Sequence, residues 1–493
     1  MAKSKEMDVK VKFGLKSFIT VVAILIAVLI FVGVLTYVIP AGRYTIYTTD
    51  EKLAKLPFYE YTTDASLNKQ IVIDSYRELT DEENSTRLPV WRWIISPFEA
   101  MIWGASSSNM LMIIALLLVL GGTFKVLEES GGLVSLVRVI MVKLREKRFI
   151  AIWVITGVIM ILSAVFGLQE QLLILYPVFA MLCTALNWSR FTAISFVLIA
   201  SGVGFTTAIT NPLTIGTASI AAGVSVTDGL WYRCIIFCIM YVITSMFLVR
   251  LAKRDEKLAT EKFDVESFVM VAEDEHHDDI RKAKMIVVLF SIALLSVIIT
   301  TSIESLRSLA MVFMAVAFIV GTVIIGKILL GTYKNLGLSF IKGVKDVLPS
   351  IVIIMIAFGI THIAQQGNIL HTIFHYFYNS VTNISPYLAV IILYVFVLIV
   401  EFFIPSASAK AVLIIPMLTL APIEGISKTV IILTYLFADG YTNVLYPTCG
   451  TLLVGLGLAD VSFAEWFKKT IVFQIILFVL SLAFLMLAVF IGL

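Results

Sequence analysis

The chain has 493 residues, of which 59% are hydrophobic and 14% charged, with a formal net charge of +3 and a mean hydropathy of +0.99. Soluble domains carry roughly 25% charged residues, and disordered chains pair low hydrophobicity with high charge, so both classes are excluded and a polytopic membrane protein remains. The near-neutral balance also speaks against a nucleic-acid partner, and Cys183, Cys234, Cys238 and Cys449 contain no CxxC pair and read as buried small hydrophobes.

Lys3, Lys5, Lys10, Lys12 and Lys16 precede an apolar run from Phe18 to Ile39. At 1.5 Å per residue this run crosses a ~30 Å hydrocarbon core. It is longer than a signal-peptide core, so an uncleaved first span with a cytoplasmic N-terminus is expected. A polar loop, 40–93, follows, then a span from Met110 to Leu127 and an amphipathic segment, 133–148. The apolar run from Phe149 is interrupted by Gln169-Glu170-Gln171 and resumes to Leu186, which predicts a re-entrant hairpin over 149–186. Phe191–Thr210 ends in the break Thr210-Asn211-Pro212; a short run to Val224 and a full span, Trp231–Leu251, come next. Residues 252–284 are strongly charged and read as a cytoplasmic linker.

Beyond the linker, spans are expected near 285–303 and 309–330, then an amphipathic piece with Lys334, Lys342 and Lys345, a span at 349–366 and a second amphipathic piece, 368–380. A second hairpin, 387–423, is broken at Ile404-Pro405-Ser406-Ala407-Ser408-Ala409-Lys410. Val430–Ala438 leads into Asp439-Gly440-Tyr441-Thr442-Asn443 and Pro447-Thr448-Cys449-Gly450-Thr451, and the last span covers 470–491.

The order of span, amphipathic piece, broken hairpin and broken helix thus occurs twice, at a nearly constant offset. Residues 121–133 correspond to 358–370, the run ending at Pro177 to that ending at Pro416, and Asn211-Pro212 to Tyr446-Pro447. The expected organisation is a first repeat over 1–251, the linker 252–284, and an inverting span plus second repeat over 285–493. Placing the first hairpin on the cytoplasmic side collects Arg145, Lys147, Arg148, Arg190, Lys253, Arg254, Lys334, Lys342, Lys468 and Lys469 inside, the asymmetry of the positive-inside rule. The second hairpin then enters from outside. The predicted fold class is an all-α polytopic membrane protein with two inverted-topology repeats, each holding a re-entrant hairpin and a broken helix.

Non-helical backbone at mid-membrane depth survives only when buried in protein or lining a cavity, and inverted repeats with broken helices mark the midplane site of secondary transporters. Candidate substrate-binding residues are therefore Gln169, Glu170 and Gln171 at the first tip, Thr210, Asn211 and Thr214 at the first break, Ser406, Ser408 and Lys410 at the second tip, and Asp439, Asn443 and Thr448 at the second break. Thr207, Asn211, Asp439 and Asn443 are candidates for a coupling cation; hydroxyls and amides at such breaks also serve simply as caps. A charge at a membrane centre costs ~2.5–3.5 kcal/mol, which singles out Glu170, Lys410 and Asp439. Lys410 could pair with either carboxylate, bind a substrate carboxylate, or act as a fixed cation. Glu401, in the hairpin arm, reads as paired within the bundle. Gly321–Lys327 matches GxxxxGK but lacks the following Ser/Thr and reads as a helix end. His371 and His375 lack a third ligand and read as part of an interfacial helix, and His276-His277 as solvated.

Ile39-Pro40-Ala41-Gly42, the segment 121–132, Pro405–Ala411, and Asp439–Asn443 with Pro447-Thr448 resemble the anaerobic C4-dicarboxylate carrier (DcuC) family, in its YfcC-type branch of the Ion Transporter superfamily. Ala407, Ala409 and the Gln169–Gln171 tip depart from the family pattern. The resemblance implies a homodimer, a scaffold of outer spans and a mobile transport domain carrying both tips in an elevator-type cycle. The expected protein is a secondary transporter of the cell (inner) membrane for small carboxylate-bearing metabolites, amino acids or dicarboxylates, by symport or antiport. It needs no cofactor or resident metal, and Na+ or H+ is the coupling ion. The alternatives are an amino-acid exchanger without ion coupling, a passive channel and, in another class, a membrane-embedded enzyme, for which no nucleophile–base pair is visible.

Overall fold

The computed structural model describes residues 15–48, 59–62, 72, 75–80, 82–104, 107–144, 147–258, 273–303, 306, 309–381, 384–404, 407–420 and 425–493. Nearly all of them are helical, and ten helices among them are long and apolar enough to cross a membrane. The polar loop carries short strands, Gly42–Arg43 paired antiparallel with Arg77–Glu78 and Ile46–Thr48 parallel with Tyr59–Tyr61.

Burial separates a centre from a periphery. The stretch Arg190–Ala222 is 94% buried, whereas the first span, Val21–Val38, is 33% buried. An apolar side chain facing lipid costs nothing, so a helix needs only one stripe against its neighbours, while a polar or interrupted helix must be enclosed. Packing completes the division: an outer group, assembled around the more buried Tyr333–Gln366, comprises that helix with Leu15–Val38, Ser107–Glu129, Gly132–Leu144, Glu273–Ser302 and Ala310–Leu330. Within it Tyr333–Gln366 packs on both Leu15–Val38 and Ser107–Glu129. Gly121 and Gly343 let Ser107–Glu129 and Tyr333–Gln366 touch backbone to backbone, since a Cβ on Gly343 would stand 2.0 Å from the Gly121 carbonyl oxygen. The enclosed group is Arg190–Thr207 with Arg148–Phe166 and Tyr176–Ala185 against it, and Lys428–Thr442 with Pro386–Phe403 and Ala407–Leu420 against it.

Four details differ from the sequence expectation. The amphipathic piece with Lys334 and the span at 349–366 form one 34-residue helix, Tyr333–Gln366, running through Pro349; a long helix packed on two neighbours tolerates the one hydrogen bond proline removes. The charged linker is helical at both ends, to Leu258 and from Glu273, because charges with i,i+4 partners such as Asp278–Lys282 extend a helix beyond the membrane. A further helix, Ser96–Trp103, precedes the second span and packs on Tyr333–Gln366. Cys234 and Cys238 are exposed, unlike Cys183 and Cys449. Their helix, Leu230–Leu258, buries the Tyr232–Ile236–Met240 stripe, and thiols on its other face are apolar enough for lipid.

Candidate functional site

The site is built where four helices stop: Arg148–Phe166, Arg190–Thr207, Pro386–Phe403 and Lys428–Thr442. Arg148–Phe166 ends at Gly167, whose left-handed φ of 72° turns the chain into the first tip. A Cβ there would meet Asn211 Oδ1 at 2.4 Å, so only glycine lets the first break sit against the tip. The chain continues as a tight turn, Glu170–Leu175, and returns as Tyr176–Ala185. Arg190–Thr207 stops at Ala208, and Asn211 caps a wide turn over Pro212–Gly216 by accepting the Leu213 N–H at 2.9 Å. Lys428–Thr442 stops at Asn443 and resumes as Gly450–Leu458. Gly440 holds the two broken helices together, because a Cβ there would stand 2.2 Å from the Thr206 backbone nitrogen.

The structure brings Gln169 to Asn443 and Lys410 to Asp439, with Asp439 and Asn443 one turn apart at the end of the same helix. Asn443 Nδ2 donates to Gln169 Oε1 at 2.9 Å, and the Gln169 N–H donates to Gln171 Oε1 at 3.1 Å. Lys410 pairs with Asp439 at 2.8 Å and also with Glu401, and all three side chains are essentially inaccessible. Thr442 Oγ1 donates to Glu401 at 3.2 Å. Of the pairings open for Lys410, the one with Asp439 is present, and Glu401 completes the cluster. Glu401 was legible only as an intramembrane charge needing a partner, because it and Lys410 lie on different arms of the hairpin.

Glu170 stands apart from that cluster. Its half-buried carboxylate faces the Thr451 hydroxyl and lies within electrostatic reach of Asp439. Gln169 Nε2, Asn211 Nδ2, Thr214 Oγ1 and Thr448 Oγ1 are buried and, among the described residues, have no hydrogen-bond partner.

Thr210 and Thr207 are held differently. Thr210 is exposed and its hydroxyl donates to the Val165 carbonyl at 3.2 Å, tying the break to the hairpin arm; Thr207 donates to the Gly204 carbonyl of its own helix at 2.9 Å. Ser406 lies outside the described residues, as does the side chain of Ser408. No group of three or more His, Cys, Asp or Glu able to hold a metal ion occurs among the described residues. A narrow cleft separates the returning arm of the first hairpin (Leu173, Ile174, Pro177) from the outer helices, and Lys125, Glu128 and Asp346 are its charged lining.

Comparison with known proteins bears on this arrangement. Residues 18–490 match the family model for the C4-dicarboxylate anaerobic carrier, DcuC. The chain is 23% identical to YfcC of Escherichia coli (strain K12), proposed as a basic amino acid antiporter, over 92% of this chain and 94% of that protein. Among solved structures, the Alcanivorax borkumensis YdaH transporter, of unusual topology, is 14% identical and aligns over 97% of this chain and 99% of its own with a TM-score of 0.42. Neisseria gonorrhoeae MtrF, from a class of antimetabolite efflux pumps, is 14% identical and aligns over 95% of each chain with a TM-score of 0.44. With ten candidate spans and a family match over nearly its whole length, the chain is a multi-pass membrane protein that belongs to the C4-dicarboxylate anaerobic carrier family of transporters.

Proposed function

We propose that this protein is a secondary active transporter of small carboxylate-bearing metabolites, with amino acids as the preferred class over dicarboxylates. The observation that carries the reading is the charge at the helix breaks. Three carboxylates (Glu170, Glu401, Asp439) stand at the tips and breaks with a single ammonium, Lys410, which is already paired with the latter two. A dianion would add to this excess of negative charge, whereas a substrate with an ammonium or guanidinium group offsets it. Gln169, Asn211, Thr214 and Thr448, buried without protein partners, supply the polar contacts that a carboxylate and its neighbours need. The similarity to a protein proposed as a basic amino acid antiporter points the same way.

In this proposal the two hairpins and two broken helices form the mobile body of an elevator, related as inverted repeats over 1–251 and 285–493. The outer helices form the scaffold of a homodimer in the inner membrane, with the N-terminus and the 252–284 linker in the cytoplasm. The cleft beside Leu173 and Pro177, between the first hairpin and the outer helices, supports such a motion. A second reading, exchange without a coupling metal cation, is favoured by Lys410: its ammonium stands between Asp439 and Glu401, where a symporter would hold Na+. The test is a thermal-shift screen of the purified protein against L-amino acids and dicarboxylates, with and without Na+. Ligand at a hundredfold over Kd stabilises by about 2.7 kcal/mol. Stabilisation by arginine or lysine without Na+ is expected; stabilisation by succinate alone refutes the charge argument.

A further inference from the structure

We propose that Glu170 carries either a proton or the cationic group of the substrate, never both, so that movement of a cationic amino acid is coupled to counter-movement of a proton. This inference rests on the amino-acid reading given above.

Glu170 is a carboxylate without a cation. Among the described residues nothing pairs with it as an ion; the polar side chain beside it is Thr451. The turn that carries it packs on Tyr176–Ala185, Arg190–Thr207 and Gly450–Leu458. The titratable groups of those elements are Tyr176, Cys183 and Arg190, with Cys449 just before the last. Arg190 opens its helix, and at 1.5 Å per residue it lies ~26 Å from the break at the other end. The two titratable groups in electrostatic reach of Glu170 are Cys449 and Asp439, and neither is a cation. Lys410 is unavailable, because its fully buried ammonium is shared by Glu401 and Asp439. The N-terminus of Gly450–Leu458 beside Thr451 supplies only about half a positive charge.

A bare carboxylate is costly at membrane depth, so the site crosses the membrane only with Glu170 neutralised. Two neutralisers fit: a proton bound to the carboxylate, or a substrate ammonium or guanidinium paired with it. When the substrate cation arrives, the carboxyl O–H bond breaks, its proton passes to water and an ion pair replaces it; on the far side the steps reverse. Gln169 Nε2 and Asn211 Nδ2, buried without partners, are donors for the substrate carboxylate, so one ligand can satisfy these amides and Glu170 together. One cation is exchanged for one proton, and the exchange moves no net charge.

The experiment uses the full-length protein in proteoliposomes, with L-arginine as the probe. With the lumen one pH unit more acid than the bath, arginine is expected to accumulate inside about tenfold at equilibrium, the ratio set by one-for-one exchange. A potential of either sign alone should drive nothing. In detergent, in the acid range where arginine affinity varies with pH, arginine binding to the wild type should release about one proton, read with a pH dye in weak buffer, and Glu170→Gln should release none. Arginine uptake without proton release, or equal release by Glu170→Gln, overturns the coupling while leaving the transport reading intact; absence of arginine binding to the wild type refutes that reading itself. Should Glu170→Gln fail to fold, the wild-type affinity decides. It should weaken about tenfold per unit of acidification once the carboxyl is protonated, and a flat profile overturns the proposal.

Discussion

Replacing Lys410 by methionine removes the only ammonium from a cluster with no access to solvent. Glu401 and Asp439, both of which it pairs with, are then left facing each other. Deleting one partner of a buried ion pair costs roughly 3–5 kcal/mol, because the remaining charge keeps its desolvation penalty and loses its compensation. Two carboxylates share the one cation here, so the loss belongs at the upper end of that range unless one of them takes up a proton. Adding Glu401→Gln removes one of the stranded charges and retains the Thr442 contact at 3.2 Å, so the double variant should be more stable than Lys410→Met alone. The assay is thermal unfolding in detergent of the wild type, both single variants and the double variant, from which the Lys410–Glu401 coupling is obtained. A coupling above about 1 kcal/mol is expected, as is loss of uptake in Lys410→Ala protein that still inserts and folds. Additive single effects, or near-normal uptake by Lys410→Ala, would refute the reasoning.

Gly440→Ala places a methyl 2.2 Å from the Thr206 backbone nitrogen; overpacking of this kind costs roughly 1–3 kcal/mol, and the melting temperature and transport rate should both fall, while Gly337→Ala, with nothing nearby, should be silent. Asp279 accepts from Ser135 at 2.5 Å and pairs with Arg138, so Asp279→Ala should cost roughly 1.5–3 kcal/mol and raise protease sensitivity around Gly132–Leu144. His371, on the helix Ile369–Val381, accepts the Tyr44 N–H on Nδ1 at 3.0 Å, and burial with Arg43 nearby pushes its pKa from 6.5 down to about 4. The released ring binds a proton as pH falls through 6.5 while the docked ring stays neutral until about 4, so docking of the polar loop is complete above 6.5 and weakens with acid. Hydrogen exchange at the Tyr44 amide, corrected for its intrinsic rate, should show protection falling across that window in the wild type and not in His371→Asn.

Hydropathy made most of the fold legible because each crossing needs about twenty apolar residues regardless of its neighbours. The breaks were legible for a related reason: Gln169–Gln171 and Asn211-Pro212 are intolerable in lipid-facing helices, so their presence announced enclosure. Partner choice was not. Glu401 and Lys410 meet because a hairpin folds its arms together, and no helical periodicity relates positions nine apart across a turn. Thr210 looked like its neighbours in composition, yet its hydroxyl is consumed by the Val165 carbonyl, a contact fixed by tertiary approach. The amphipathic piece and the span at 349–366 were legible only as separate segments, and although proline usually ends or kinks a helix, packing against two neighbours carries one helix through Pro349.

The buried ion cluster also bears on how the chain enters the bilayer during synthesis. Glu401 and Lys410 emerge nine residues apart, on the two arms of one hairpin. They can neutralise each other as the hairpin forms, so it partitions as a unit in which neither arm carries a lone charge. Asp439 comes later, on a helix with no cation of its own at that depth, and its partner is the lysine of the hairpin already in place. The helix Lys428–Thr442 therefore has a reason to wait for the hairpin, and a nascent chain without Lys410 would bring two unmatched acids to the membrane in succession.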